Sequence, residues 1–275
     1  MRSLEDNGLP AASVPTHRAL AGKRVLITRA VEQAPGLAAL LEAEGAEVLI
    51  MAAISIEPAA DFQALDEAIR QIERYQWVIF TSVNGVRAVG QRLDVVGQNW
   101  RSFTQARVAA IGPATAEALR AVGVQPDFVP AEYVAEAITA GIGEVAGQCI
   151  LLPRADIARE ALAVELRQRG AVVEEIAAYR TVTQPLDTQA VEQVLARHPD
   201  VVTFTSSSTV RGFLTALRGV NVAEVLRGVA VACIGPITAK TAREAGLTPQ
   251  IVAEEYTMPG LTRAIVAYFR AAQDE

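Results

Sequence analysis

This chain repeats itself, and the repetition bounds what it can fold into. The stretch "WVIFTSVNGVRAVG" from Trp77 to Gly90 returns as "VVTFTSSSTVRGFL" from Val201 to Leu214, with Phe80-Thr81-Ser82 echoed 124 residues later by Phe204-Thr205-Ser206. "AAIGPATAEALRAVGV" returns as "VACIGPITAKTAREAGL", and the interval between Gly112 and Gly235 is 123 residues. Tyr133 and Tyr256 keep that interval, while Arg29 and Arg154, like Gly45 and Gly170, are 125 residues apart. Five matches in one order at nearly one offset predict two copies of one unit.

Each copy alternates short apolar runs with helical patterns. Runs such as "RVLIT" and "RVAAI" are apolar throughout, as strands covered on both faces must be. Strands alternating with helices predict an α/β fold of two doubly wound, parallel-sheet lobes. In the first copy Phe62, Leu65, Ile69 and Ile72 keep helical spacing behind Asp61 as N-cap; in the second, Val191, Val194 and Leu195 do so behind Asp187. Two longer segments, "EVLIMAAISIEP" and "VVEEIAAYRTVTQP", carry Glu57, Glu174 and Glu175 and end at prolines. They read as exposed connectors between the lobes rather than as central strands. The 275 residues, 51% of them hydrophobic, are enough to bury two cores.

Several function classes recede. The net charge is −6 and no block of Lys or Arg occurs, so a nucleic-acid footprint is not expected. Cys149 and Cys233 both lie in apolar runs and read as buried free thiols of a reducing compartment. The two histidines, His17 and His198, stand apart from any Cys or carboxylate cluster. No metal site and no Ser-His-Asp triad is therefore expected. Residues 1–22 lack a continuous apolar run, so they read as a disordered extension rather than a secretory signal. No transmembrane span is expected and the expected location is the cytoplasm.

In open α/β sheets ligands bind beyond the carboxyl ends of the strands. Every unusual residue falls there. Arg29 and Arg154 end the first strand of each copy. Ser82 and Asn84 follow "WVIF", and Ser206 and Ser207 follow "VVTF". Gly112 and Gly235 open the next helices, with Thr115 and Thr238 in their first turns. Each hydroxyl alone is explained as a helix N-cap and each Gly-Pro as a turn. Recurrence on the same sheet edge in both copies adds a second meaning: exposed helix N-termini bind anions. GxGxxG and GxxxxGK[ST] are absent, so dinucleotide and P-loop chemistry are not expected. The residues alone predict a small polyanion held between two lobes.

Taken together, "VLITRA", "FTSVNGV", "IGPATAEAL", "LLPRA", "AAYRTV", "FTSSSTV" and "IGPITAKTAREAGL" resemble the uroporphyrinogen-III synthase family, over roughly Lys23 to Phe269. The resemblance implies a discontinuous lobe one, 23–53 plus 183–275, and a lobe two, 57–177, joined by a two-stranded connector; the duplication alone divides the chain near Gln148 instead. It implies cyclisation of the linear tetrapyrrole hydroxymethylbilane, which carries eight carboxylates, to uroporphyrinogen III. Ring D is inverted, water is lost and no cofactor takes part. It implies a role in catalysis for Tyr179 in "AAYRTV". It also implies carboxylate binding by Ser82, Thr115, Ser206, Ser207 and Thr238, with Arg154 a candidate partner for a propionate or acetate. Thr81 and Thr205 are expected to face the core. Ile237 stands where the first copy has Ala114 and some relatives have a hydroxyl, which leaves Thr238 as the contact of that turn. A monomer is implied, with a transient hand-over from the preceding enzyme of the pathway. Two alternatives remain at this point: a bilobed module that only binds a small polyanion, and a cytosolic transferase.

Overall fold

The computed structural model describes residues 18–158, 160–184 and 188–272. The strands are β1 (Arg24–Ile27), β2 (Glu47–Ile50), β3 (Ile54–Pro58), β4 (Trp77–Phe80), β5 (Arg107–Ala110), β6 (Cys149–Ala155), β7 (Val172–Thr183), β8 (Val201–Phe204), β9 (Ala230–Cys233) and β10 (Pro249–Val252). The helices are α1 (Ala34–Ala43), α2 (Gln63–Arg70), α3 (Val83–Val95), α4 (Pro113–Ala121), α5 (Ala135–Gly141), α6 (Ala161–Gln168), α7 (Thr188–Leu195), α8 (Ser207–Ala216), α9 (Val222–Val225), α10 (Pro236–Glu244) and α11 (Met258–Ala271).

These strands build two five-stranded sheets. The first runs β10-β9-β8-β1-β2 with every pairing parallel. The second runs β3-β7-β6-β4-β5, parallel except where β3 meets the far half of β7. A single bridge from Ala109 to Phe128 lies outside β5, on the side where β10 flanks β9 in the other sheet. The first sheet therefore takes strands from both ends of the described chain, and the second from its middle.

Alternation along the strands divides each core in two. In the first sheet Val25, Ile27, Val201 and Ala232 point to one side, against Leu37 and Leu41 of α1 and Leu261 and Ile265 of α11. Leu26, Val202, Phe204 and Cys233 point to the other, against Val210 and Phe213 of α8 and Ala239 of α10. The second sheet repeats the plan. Val78, Phe80 and Val108 face α2, α3 and α4, while Trp77, Ile79 and Ile150 face α5 and α6. Side-chain direction inverts at each residue of a strand, so four-residue runs apolar at every position fill both layers. Two buried threonines complete the centre of the first sheet: Thr28 donates to the Thr203 carbonyl at 2.7 Å, and Thr203 donates to the Leu26 carbonyl at 3.0 Å. Both buried hydroxyls are thereby satisfied.

The structure corrects several expectations. Arg18–Gly22 are not part of a frayed extension: Ala19 and Leu20 are buried, and the Leu20 amide donates to the Glu44 carbonyl at 2.9 Å. The remainder of the expected extension, 1–17, lies outside the described residues, as does Asp187. The two segments read as exposed connectors supply β2 of the first sheet and β3 and β7 of the second, and their Ile54, Ile176, Ala178 and Tyr179 are buried. Asp61 does accept a backbone N–H, from Gln63 at 2.8 Å, but α2 starts after Phe62 rather than at Asp61. Cys149 is half-buried, whereas Cys233 is buried, and both are free thiols. Among the described residues no helix is long and apolar enough to cross a membrane, and no cluster of His, Cys, Asp and Glu is suited to a metal.

Candidate active site

The carboxyl ends of the strands of both sheets open into one cleft of about 570 Å³. From the first sheet come Arg29 beyond β1, Ser206 and Ser207 at the start of α8, Thr238 in α10, and Tyr256. From the second come Ser82 and Asn84 at the start of α3, Gly112 and Thr115 at α4, Tyr133, Arg154 at the end of β6, and Tyr179 on β7. Thr81 and Thr205, expected in the core, line the cleft instead. Another groove, of about 480 Å³ between β10 and α11, gathers none of the repeated hydroxyl or arginine positions.

Local sequence explains how these groups are held. Ser82 caps α3 by accepting the Gly85 amide at 3.0 Å. Ser206 caps α8 in a capping box: its hydroxyl accepts the Thr209 amide at 3.2 Å, and Thr209 accepts the Ser206 amide at 3.2 Å. Both caps have side chains committed to the helix. Ser207, next along, has its hydroxyl 2.7 Å from that of Thr241 and also lines the cleft. Gly112 and Gly235 begin α4 and α10 with extended backbone and no side-chain cap. The first-turn amides of such uncapped helices are donors suited to an anion. Thr115 and Thr238 are each only 4% exposed, so their hydroxyls offer a ligand little surface.

The two glycines have a steric role that sequence reasoning missed. A Cβ on Gly112 would lie 3.2 Å from the Tyr133 ring, and one on Gly235 would lie 2.9 Å from the Tyr256 ring. Each glycine seats a tyrosine, and Gly235 itself does not line the cleft. The two rings then meet edge to face across the cleft, with centroids 5.7 Å apart at 89°. Such pairs contribute about 0.5–1.5 kcal/mol beyond area burial. The signal was present as the matched interval between Tyr133 and Tyr256; nothing in it said that the rings touch.

Tyr179 sits at a β-bulge. Arg154 pairs with Ala177 and Ala155 with Tyr179, so Ala178 is an extra residue that turns the phenol toward the cleft. Its oxygen lies 2.9 Å from the Ser82 hydroxyl. Burial raises its pKa above the ordinary tyrosine value, partly opposed by hydrogen bonds from Ser82 and Asn84. The phenol is therefore neutral at ordinary pH and available as a donor.

Charge is distributed unevenly. Arg154, expected as a partner for a propionate or acetate, is buried and paired with Glu175, which also meets Arg167 at 2.8 Å. Its charge is neutralised inside the protein. Arg29 is different. Its Nη1 points at the Met258 sulfur at 3.0 Å and its Nη2 donates to Gln33 Oε1 at 3.1 Å. Among the described residues no carboxylate pairs with it, and its Nε is buried without a partner. Burial first, and the charge of Arg87 second, lower its pKa to about 10. Gln33 in turn donates to Asn84 Oδ1 at 2.7 Å, which joins the first sheet's segment before α1 to the second sheet's α3. Glu136 is the single acidic residue lining the cleft among those described. A chain of net charge −6 thus presents a cleft suited to an anion.

The family model described as uroporphyrinogen-III synthase HemD matches residues 36–263. The chain belongs to the uroporphyrinogen-III synthase family. It is 37% identical to the uroporphyrinogen-III synthase of Synechococcus elongatus, over 91% of this chain and 97% of that one. It is 32% identical to a putative uroporphyrinogen-III synthase of Methanothermobacter thermautotrophicus, over 87% and 96%. The fold is that of solved uroporphyrinogen-III synthases. A mutant form of the Thermus thermophilus protein superposes with a TM-score of 0.66 at 22% identity, over 92% of this chain and 100% of that one. The Helicobacter pylori protein superposes with 0.60 at 16% identity, over 90% and 99%.

Proposed function

We propose that this member of the uroporphyrinogen-III synthase family closes hydroxymethylbilane to uroporphyrinogen III with inversion of ring D and release of water, without a cofactor. The observation that carries the reading is that one cleft between two sheets holds both a buried phenol, hydrogen-bonded to Ser82, and an arginine with no carboxylate partner among the described residues. The cation and the helix N-termini hold carboxylates of the linear substrate. Tyr179 passes its proton to the leaving hydroxyl of ring A as the C–O bond breaks, so that water departs. The substituted α-carbon of ring D bonds to the freed ring-A methylene to give a spiro intermediate. Its bond to the bridge carbon from ring C then breaks and re-forms at the free α-carbon of ring D, and the proton lost from that carbon restores the phenol. The raised pKa of Tyr179 keeps the phenol protonated until that transfer. A thousandfold preference for the inverted product requires only about 4 kcal/mol of differential transition-state stabilisation, within reach of cleft shape and a few hydrogen bonds.

In this reading the chain forms a discontinuous lobe one, 23–53 with 183–275, and a lobe two, 57–177, derived from one duplicated unit. β3 and the far half of β7 are the crossing strands. The shared strand order of the two sheets supports this. The working form is a cytoplasmic monomer that receives its substrate by transient hand-over.

The test is to incubate the protein with enzymatically generated hydroxymethylbilane, oxidise the porphyrinogens and separate the isomers chromatographically. Isomer III is expected. Isomer I alone, the product of unassisted closure, leaves the cleft as a polyanion-binding module and overturns the catalytic reading.

A further inference from the structure

We infer that Arg29 is a dedicated carboxylate-binding residue of the cleft, held in the empty protein by Gln33 as a stand-in ligand, and that Gln33 ties its occupancy to Asn84 on the other sheet. The inference deepens the cyclase reading and rests on it: the ligand is one acetate or propionate side chain of the tetrapyrrole.

Four observations lead there. Arg29 lines the cleft, yet its Nε is buried without a hydrogen-bond partner among the described residues. The partners of its other nitrogens are neutral, a thioether and an amide oxygen, where a structural arginine would face a carboxylate. Arg154 shows that contrast within the same cleft, because Glu175 satisfies it. A second cation, Arg87 on α3, acts on Arg29 and depresses its pKa further, so the described residues around it add to the charge rather than relieve it. A half-buried cation with no counterion among the described residues destabilises a fold, and such groups persist where function needs them. A carboxylate has the geometry to take the guanidinium fork bidentately, replacing the amide oxygen of Gln33. Gln33 is already bonded to Asn84, which shares the cleft with Tyr179 and acts to lower the pKa of its phenol. Binding at Arg29 therefore bears on the hydrogen bond that links the two sheets and on the phenol beyond it.

The test uses three forms of the full chain: wild type, R29Q and R29K. Two quantities are read, the KM for hydroxymethylbilane and the melting temperature without ligand. R29Q is expected to raise KM at least tenfold while melting at or above the wild-type temperature, because an unrelieved charge is removed. R29K, which keeps the charge, is expected to recover much of the lost affinity. A KM for R29Q within twofold of wild type overturns the inference, whatever its melting temperature. So does an R29K as impaired as R29Q, because the loss then belongs to packing. Wild-type protein that forms no isomer III would sink the cyclase reading itself, whereas wild type that forms isomer III with R29Q unchanged sinks only the role of Arg29.

Discussion

The phenol oxygen of Tyr179 on β7 lies 2.9 Å from the hydroxyl oxygen of Ser82, and that same hydroxyl caps α3 by accepting the Gly85 amide at 3.0 Å. A single serine thus begins a helix and aims the candidate catalytic group. The strand, the helix and the cleft share one hydrogen-bonding atom.

Y179F removes the phenol oxygen and leaves the ring. Turnover is expected to fall about 10²-fold, a typical size for a lost proton-donating group. The fold should survive, because loss of one hydrogen bond costs about 1 kcal/mol. Wild-type kcat should show no limb from phenol ionisation below pH ~10, since burial raises the pKa above its usual value. Steady-state kinetics from pH ~6 to ~10 and thermal melting check both points.

E175Q strands a buried cation. Arg154 and Glu175 have side-chain exposures of 9% and 24%, so their pairing is only weakly screened. Removing one partner of a buried pair costs about 3–5 kcal/mol, because the other charge is left uncompensated. Urea denaturation should place E175Q near the low end of that range, since Glu175 is partly open to water. A loss under about 1 kcal/mol would mean that solvent replaces the carboxylate.

G212A tests how tightly α8 sits on the start of β3. A Cβ at Gly212 would lie 2.5 Å from the Ala53 carbonyl oxygen and 2.8 Å from a methyl of Ile54. The helix must move outward, at about 1–3 kcal/mol. Ile54 lines the cleft, so an altered isomer ratio is expected alongside the lower denaturation midpoint.

Alkaline pH should weaken the fold through Cys233. Burial pushes its thiol up to about 12, against a nearby Arg243 that acts the other way. The unfolded thiol ionises near ~8.5. Between these values the unfolded state loses its proton while the folded state keeps it, so stability falls as pH rises. By pH ~10 the loss from this one group is on the order of 2 kcal/mol. C233A should show a shallower decline between pH ~8.5 and ~10 than wild type, and a thiol reagent should reach Cys149 before Cys233.

Much of this arrangement was legible in the residues. "WVIF" and "VVTF" are apolar at nearly every position and form central strands buried on both faces. Ser82 and Ser206 stand where N-caps belong and cap their helices. What stayed hidden depends on relations between distant segments. Glu175 reaches Arg154 only through the register of β6 on β7, which local periodicity does not encode. The bulge at Ala178 that turns Tyr179 is likewise a property of a strand pair. Gln33 could be read as an i, i+4 neighbour of Arg29, but its bond to Asn84 exists only because the two sheets face each other. Leu20 carried no pattern at all; two adjacent buried side chains in a short stretch have no period to detect.

The split origin of the first sheet sets an order of events during synthesis. Strands β3 to β7 are contiguous in the chain and can associate as soon as they leave the ribosome. β1 and β2 emerge earlier, yet the neighbour that flanks β1, β8, begins only at Val201. At ~5–20 residues per second, the amino-terminal pair waits on the order of ten seconds with one edge unpaired. The nascent protein must therefore carry an open β-edge while its middle portion is already complete, and that interval is when a chaperone has something to hold.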